Sequence, residues 1–119
     1  MRDFRTLKVW EKSHNLTLSV YKTTRNFPAD ERFNLTSQFR RASYSIGLNI
    51  SEGCGRFSDA DFARFLVMAF GSANETEYCN LLSKDLEYIS LKEYFTLQEQ
   101  IEEVKKMLLS LIDKLKGNK

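Results

Sequence analysis

Apolar residues recur at helical spacing along most of the chain. Between residues 35 and 56 they follow the alternating four-three spacing of one helix face: Leu35, Phe39, Ala42, Ile46 and Ile50. Gly53 and Gly55 follow, and because glycine adopts the left-handed conformation without a Cβ penalty, we expect them to end this helix. The pattern predicts a buried second helix that begins between Pro28 and Phe33 and ends at Gly53.

Three more helices are predicted, helices 1 and 4 from their apolar periodicity and helix 3 from its N-terminal cap. Helix 1 covers residues 6–26, and helix 3 runs from its N-cap Ser58 to about residue 88. Ser90 and Glu93 form a capping-box pattern at the start of helix 4. The apolar positions of helix 4 have the three-four spacing of a coiled-coil seam: Tyr94, Leu97, Ile101, Val104, Leu108, Leu111 and Leu115.

Short connections decide how these helices are arranged. No run alternates polar and apolar residues long enough to predict a strand, so the chain is all-α. The link between helices 3 and 4 is either Ile89–Ser90 or a break near residues 94–96. Because short links make neighbouring helices antiparallel, we predict one domain over residues 1–119, an antiparallel up-down-up-down four-helix bundle.

Helix 3 carries more apolar surface than one bundle position needs. Its first half, FARFLVMAF, is apolar almost all the way round. Monomers rarely expose large apolar patches, so the surplus predicts a subunit interface, and unusually deep burial within one chain is the alternative. The residues assigned to the oligomer interface are Phe62, Phe65, Leu66 and Phe70.

A ladder of polar residues borders the apolar stripe of helix 2. A charged group left buried and alone would cost several kcal/mol, so such groups need partners or water. We therefore predict a network that joins helix 2 to helix 3 and sets their register, with ligand binding as the alternative role. Its members are Arg41, Asn49, Glu52, Ser72 and Glu75.

Charge is distributed unevenly although the net charge is only +2. Residues 1–64 hold 11 Lys+Arg against 7 Asp+Glu, and residues 65–119 hold 7 against 9. A basic stripe on helix 1, repeated by symmetry in an oligomer, would form a ring of positive charge for phosphates. The candidate nucleic-acid contacts are Arg2, Arg5, Lys8, Lys12, Arg40, Arg56 and Arg64.

Candidate chemistry is sparse. His14 is the single histidine and has no acid or nucleophile at matched spacing, and the two cysteines, Cys54 and Cys79, have no metal-ligand pattern. The glycines match neither a P-loop nor a dinucleotide fingerprint. We expect no enzyme, no cofactor, no metal and no small-molecule substrate. No apolar run approaches the roughly 20 residues of a membrane helix, so we expect a cytoplasmic protein without membrane contact.

The same central stretch also resembles a known family. QFRRASYSIGLNISEGCGR, preceded by FPADE and followed by DFARFLVMAFGSANETE, is similar to the signature of the bacterial four-helix-bundle proteins encoded in intervening sequences of 23S ribosomal RNA genes. The related accessory proteins of diversity-generating retroelements are similar too. This resemblance implies an antiparallel bundle that assembles as a homopentamer. For the accessory members it further implies binding of nucleic acid and reverse transcriptase, although those members are strongly basic.

The functional prediction combines these points. We expect a non-enzymatic oligomeric scaffold that associates with RNA. Its partner would be either ribosomal RNA itself or an RNA-handling protein. A protein-only adaptor or assembly module without a nucleic-acid role is the alternative.

Overall fold

The structure is a computed structural model that describes residues 2–117 of the 119-residue chain. Its four helices are α1 (Lys8–Thr24), α2 (Leu35–Cys54), α3 (Asp59–Asp85) and α4 (Leu91–Leu115). Two short 3-10 turns, Phe4–Thr6 and Ala29–Glu31, precede α1 and α2. The helices form a four-helix bundle of 44 × 26 × 20 Å, as the sequence predicts.

Contacts between α3 and α4 show the direction of the two helices. The Asn80 side chain donates a hydrogen bond to the Tyr94 carbonyl oxygen at 3.1 Å. Further back along α3, Glu77 accepts hydrogen bonds from Gln98 and Lys105, both at 2.7 Å. Residue numbers fall along α3 as they rise along α4, so the two helices are antiparallel. Contacts of α1 with α2 and α4 follow the same reversed order.

The core lies along the axis of the bundle and contains the predicted stripes. All five apolar residues of the α2 stripe are buried, which confirms that periodicity. In α4 the seam is buried at Leu97, Ile101, Val104 and Leu108. The largest side chains that are fully enclosed are Leu16, Phe39, Ile46, Ile50, Phe62, Leu66, Ile101 and Leu108.

The start of α2 lies later than predicted. Pro28 and the acidic pair Asp30 and Glu31 form a separate 3-10 turn, and α2 begins only at Leu35. The Glu31 carboxylate accepts a hydrogen bond from the Leu35 backbone N–H at 3.2 Å and so satisfies one free donor of the first helical turn. Glu31 therefore caps α2 from outside the helix.

Gly53 and Gly55 do not end α2 by a left-handed conformation, and that prediction is wrong. Gly53 lies inside the helix, and Gly55 has φ −83° and ψ −1°. A Cβ atom on Gly53 would stand 2.9 Å from the Phe62 ring and 2.9 Å from the Phe65 Cβ. Glycine is thus required at residue 53 because α3 crosses α2 there at close range.

α3 ends three residues earlier than predicted, at Asp85. Glu87 has a positive φ of 64°, and the Tyr88 N–H bonds back to the Ser83 carbonyl at 2.9 Å. The Glu87 N–H bonds to the Lys84 carbonyl at 2.9 Å, which completes the hydrogen-bond pattern of a Schellman motif. The capping box of Ser90 and Glu93 then starts α4, as predicted.

Candidate functional site

The predicted polar network between α2 and α3 is not formed within the protomer. The Glu52 carboxylate instead forms an ion pair at 3.0 Å with Arg56, which lies four residues later and just beyond the end of α2. Asn49 donates to the Ser45 carbonyl at 2.9 Å, and Ser72 is buried, with its carbonyl accepting from Thr76. The remaining two members, Arg41 and Glu75, are exposed to solvent. The reason is geometric: the charged residues Arg41, Glu52 and Glu75 are exposed, so water satisfies them without a partner on the neighbouring helix.

The basic stripe predicted on helix 1 is largely neutralised. Arg2 and Arg5 precede α1, and six of the seven candidate cations form ion pairs with carboxylates of the same chain. Phosphate would compete with those carboxylates at each position. The pairs are Arg2–Asp59 (3.0 Å), Arg5–Asp3 (3.4 Å), Lys8–Glu11 (3.6 Å), Lys12–Glu103 (3.6 Å), Arg56–Glu52 (3.0 Å) and Arg64–Asp61 (3.0 Å).

Arg40 is the seventh candidate and differs from the others. Its Nε donates to the Thr24 hydroxyl at 2.8 Å, and its guanidinium lies over the Tyr21 ring at 4.6 Å. Within residues 2–117 it has no carboxylate partner, and the same holds for four cations near it in sequence: Lys22, Arg25, Arg32 and Arg41. We call residues 22–41 the basic segment. It holds five Lys+Arg and two Asp+Glu.

The predicted oligomer interface is corrected at three of its four residues. Phe62, Phe65 and Leu66 are 0, 5 and 0% exposed, so the protomer's own core encloses them. Phe70 is half-buried beside Lys105, whose Nζ lies 5.5 Å from the ring centre. Deep burial within one chain therefore accounts for most of the apolar residues that suggested an interface.

A narrower apolar face remains on the outer side of α3. Val67, Met68 and Tyr78 are 48, 46 and 62% exposed. Gly71 lies between them on the same side of the helix, and a Cβ atom there would meet nothing within 4 Å. We call these four residues the outer face of α3. The sequence signal was present at Val67 and Met68, but periodicity alone did not separate them from their buried neighbours.

A groove between α1 and α2 was missed by the sequence analysis. It has a volume of about 450 Å³ and is lined mainly by apolar and aromatic side chains. His14 stacks on Trp10 with ring centres 5.0 Å apart and an angle of 7° between the planes. The histidine is exposed, and no carboxylate lines the groove. The lining residues are Phe4, Trp10, His14, Thr17, Tyr44, Gly47, Leu48 and Ser51.

Titratable groups with shifted pKa values are dispersed. Burial raises the pKa of the Cys79 thiol to about 11 and also raises the pKa of Cys54. The hydrogen bond from Lys105 lowers the pKa of Glu77, and the hydrogen bond to the Glu31 carboxylate raises the pKa of Tyr88. Within residues 2–117, no group of three His, Cys, Asp or Glu side chains is placed to hold a metal ion.

A family model describes most of the chain. The model of the 23S rRNA-intervening sequence proteins matches residues 5–110, which include α1, α2, α3 and most of α4. The chain belongs to this family. The resemblance to the intervening-sequence proteins is therefore confirmed.

Among the solved structures that match, one is similar to this family member over most of both chains. It is a crystal structure, at 1.70 Å resolution, of a protein of unknown function from the S23 ribosomal protein family of Bacteroides thetaiotaomicron. The two chains are 34% identical, with a TM-score of 0.78, and the match covers 87% of this chain and 97% of the other. A comparison with curated proteins gives no significant match.

Neither the matching family model nor the similar solved structure indicates a catalytic family. The matched range contains the whole basic segment and the outer face of α3. Among the described residues of this intervening-sequence protein, no helix has the length and apolar character needed to cross a bilayer.

Proposed function

We propose that this intervening-sequence protein is a non-enzymatic homo-oligomeric scaffold that associates with RNA. The observation that carries the RNA part is the basic segment, whose five cations have no carboxylate partner within residues 2–117. Phosphates supply most of the affinity in nucleic-acid binding, and free guanidinium groups are suited to contact them. The family description, which names 23S rRNA, supports ribosomal RNA as the candidate partner.

An exposed ring lies in the same segment. Phe33 is 83% exposed, and the Arg32 guanidinium lies 5.7 Å from its ring centre. Aromatic and arginine planes are used to stack unpaired bases, and such stacking tolerates many sequences. This combination favours single-stranded or looped RNA over a regular duplex.

The outer face of α3 supports assembly with further copies. Glycine inside a helix costs about 1 kcal/mol relative to alanine. Gly71 is not required by any neighbour in the described protomer, because a Cβ there would meet nothing within 4 Å. A glycine flanked by exposed Val67, Met68 and Tyr78 is what close packing of a helix from another copy would use. Assembly would also multiply the basic segment and so raise its affinity for RNA.

The RNA part is tested by fluorescence anisotropy with a labelled structured RNA at increasing salt. We expect binding at low salt that weakens steeply as salt rises, because bound phosphates release counterions. The variant Lys22→Gln/Arg41→Gln removes two unpaired cations and should weaken binding and reduce the salt slope. The matched control Arg5→Gln/Lys8→Gln removes two cations that already pair with Asp3 and Glu11 and should change binding less.

A protein-only adaptor is the second candidate function. The observation in its favour is that six of the seven cations first assigned to nucleic acid pair with carboxylates of the same chain. Absence of RNA binding at low salt would favour the adaptor over RNA association. Equal weakening of RNA binding by the two double variants would instead show that the basic segment is not the RNA contact.

A further inference from the structure

A polar cavity lies where the end of α1 meets the turn that leads into α2. It has a volume of about 290 Å³. Three arginines and two threonines line it, and no carboxylate does. The lining residues are Thr24, Arg25, Phe27, Pro28, Ala29, Arg32, Thr36 and Arg40.

One of these arginines is held in a defined orientation. Arg40 donates from Nε to the Thr24 hydroxyl at 2.8 Å, and that hydroxyl donates in turn to the Val20 carbonyl at 2.8 Å. The guanidinium also lies over the Tyr21 ring at 4.6 Å. Its two terminal amino groups make no hydrogen bond to any residue the structure describes. Arg40 therefore presents a fixed pair of donors, the arrangement that matches two oxygens of one anion.

The nearest carboxylates in sequence do not neutralise the cavity. Glu31 is used elsewhere, because its Oε1 accepts from the Leu35 N–H at 3.2 Å and its Oε2 accepts from the Tyr88 hydroxyl at 2.8 Å. Asp30 is exposed and does not line the cavity. The positive charge of the arginines is thus left available to a ligand.

Thr36 places a further hydroxyl donor at the cavity. Thr36 lines the cavity and is only 8% exposed, and its side chain makes no hydrogen bond within residues 2–117. Its hydroxyl is not fully enclosed, so it is accessible and can donate to a ligand. Thr36 is also the second residue of α2, whose N-cap Asn34 makes no side-chain capping bond, so first-turn N–H groups with positive partial charge lie nearby.

We propose that this cavity is a phosphoryl-binding pocket in which Arg25, Arg32 and Arg40 hold the phosphoryl oxygens and Thr36 donates its hydroxyl to one of them. The chemistry recognised is a phosphate dianion or a phosphodiester. The ligand is either a phosphate of bound RNA, which rests on the function proposed above, or a free phosphate.

Isothermal titration calorimetry with inorganic phosphate at constant ionic strength tests the pocket directly. Arg25→Gln/Arg32→Gln should weaken phosphate binding by at least about tenfold, because each lost arginine removes charge-assisted hydrogen bonds. Thr36→Val keeps the shape, loses the hydroxyl and should also weaken binding. The control Arg5→Gln/Lys8→Gln removes the same charge far from the cavity and should leave binding unchanged. Circular dichroism confirms that each variant folds.

RNA anisotropy with the same variants distinguishes the two sources. Loss of phosphate and RNA binding together in the pocket variants supports an RNA phosphate. Loss of phosphate binding with unchanged RNA binding supports a free phosphate in the same pocket. Phosphate binding by a chain that binds no RNA would overturn the proposed function and leave the pocket intact. Absence of phosphate binding at millimolar concentration, or equal binding by pocket and control variants, would overturn the pocket.

Discussion

Replacing Gly53 by alanine tests the closest contact in the bundle. The added Cβ would stand 2.9 Å from both the Phe62 ring and the Phe65 Cβ. Neither atom moves freely, because Phe62 is 0% exposed and the Phe65 Cβ is bonded directly to the α3 backbone. Overpacking costs about 1–3 kcal/mol, while alanine gains about 1 kcal/mol in helix propensity. Since the backbone itself must shift, we expect a net loss of about 1–2 kcal/mol in the free energy of unfolding.

The same helix offers a matched control. A Cβ at Gly47 would lie 3.4 Å from the Trp10 Nε1, an ordinary contact with a side chain at the edge of a groove. Gly47→Ala should therefore keep the propensity gain and stabilise the protein by up to about 1 kcal/mol. Urea unfolding followed by circular dichroism at one protein concentration compares the two variants, because self-association would make stability depend on concentration. A Gly53→Ala protein as stable as Gly47→Ala would refute the close-approach argument.

Three further predictions concern single groups. Glu87→Gly should raise the free energy of unfolding by about 0.5–1 kcal/mol, measured by urea unfolding, because it removes a side chain from a left-handed position with φ 64°. The hydrogen bond from Lys105 lowers the pKa of Glu77 in the folded state. Ionised Glu77 therefore stabilises the fold at pH values above its unfolded-state pKa of 4.5, and this contribution is lost as pH falls through the lower folded-state pKa. Lys105→Met should reduce the fall in stability at acid pH in thermal melts between pH 6 and pH 3, and an unchanged profile would contradict this. With its pKa raised to about 11, Cys79 should react with a thiol reagent at pH 8 far more slowly in native than in urea-unfolded protein, and equal rates would show that the site is open.

The sequence predicted the bundle well because α1, α2 and α4 each carry their own periodic signal, and α3 carries a clear N-cap at Ser58. The α2 stripe and the α4 seam are local patterns, and the Ser90 capping box is set within four residues. Helix ends were less predictable where the signal depends on the backbone. Glu87 in a left-handed conformation has no distinctive sequence signature, since that position usually favours glycine.

The candidate site was predictable only in part because it depends on which side chains meet. Spacing placed Lys8 and Lys12 on one face, but their partners Glu11 and Glu103 become visible only in the folded chain. Gly53 was read as a helix end when its role is a close contact with α3. The arginine cavity joins α1, a turn and α2, and no single periodic pattern extends over all three.

The central claim is that the protein works as an assembly of identical chains. Size-exclusion chromatography with multi-angle light scattering at micromolar concentration tests this claim most directly. We expect a single species whose mass is a whole multiple, greater than one, of the 13.9 kDa chain. A homogeneous peak at 13.9 kDa would contradict it.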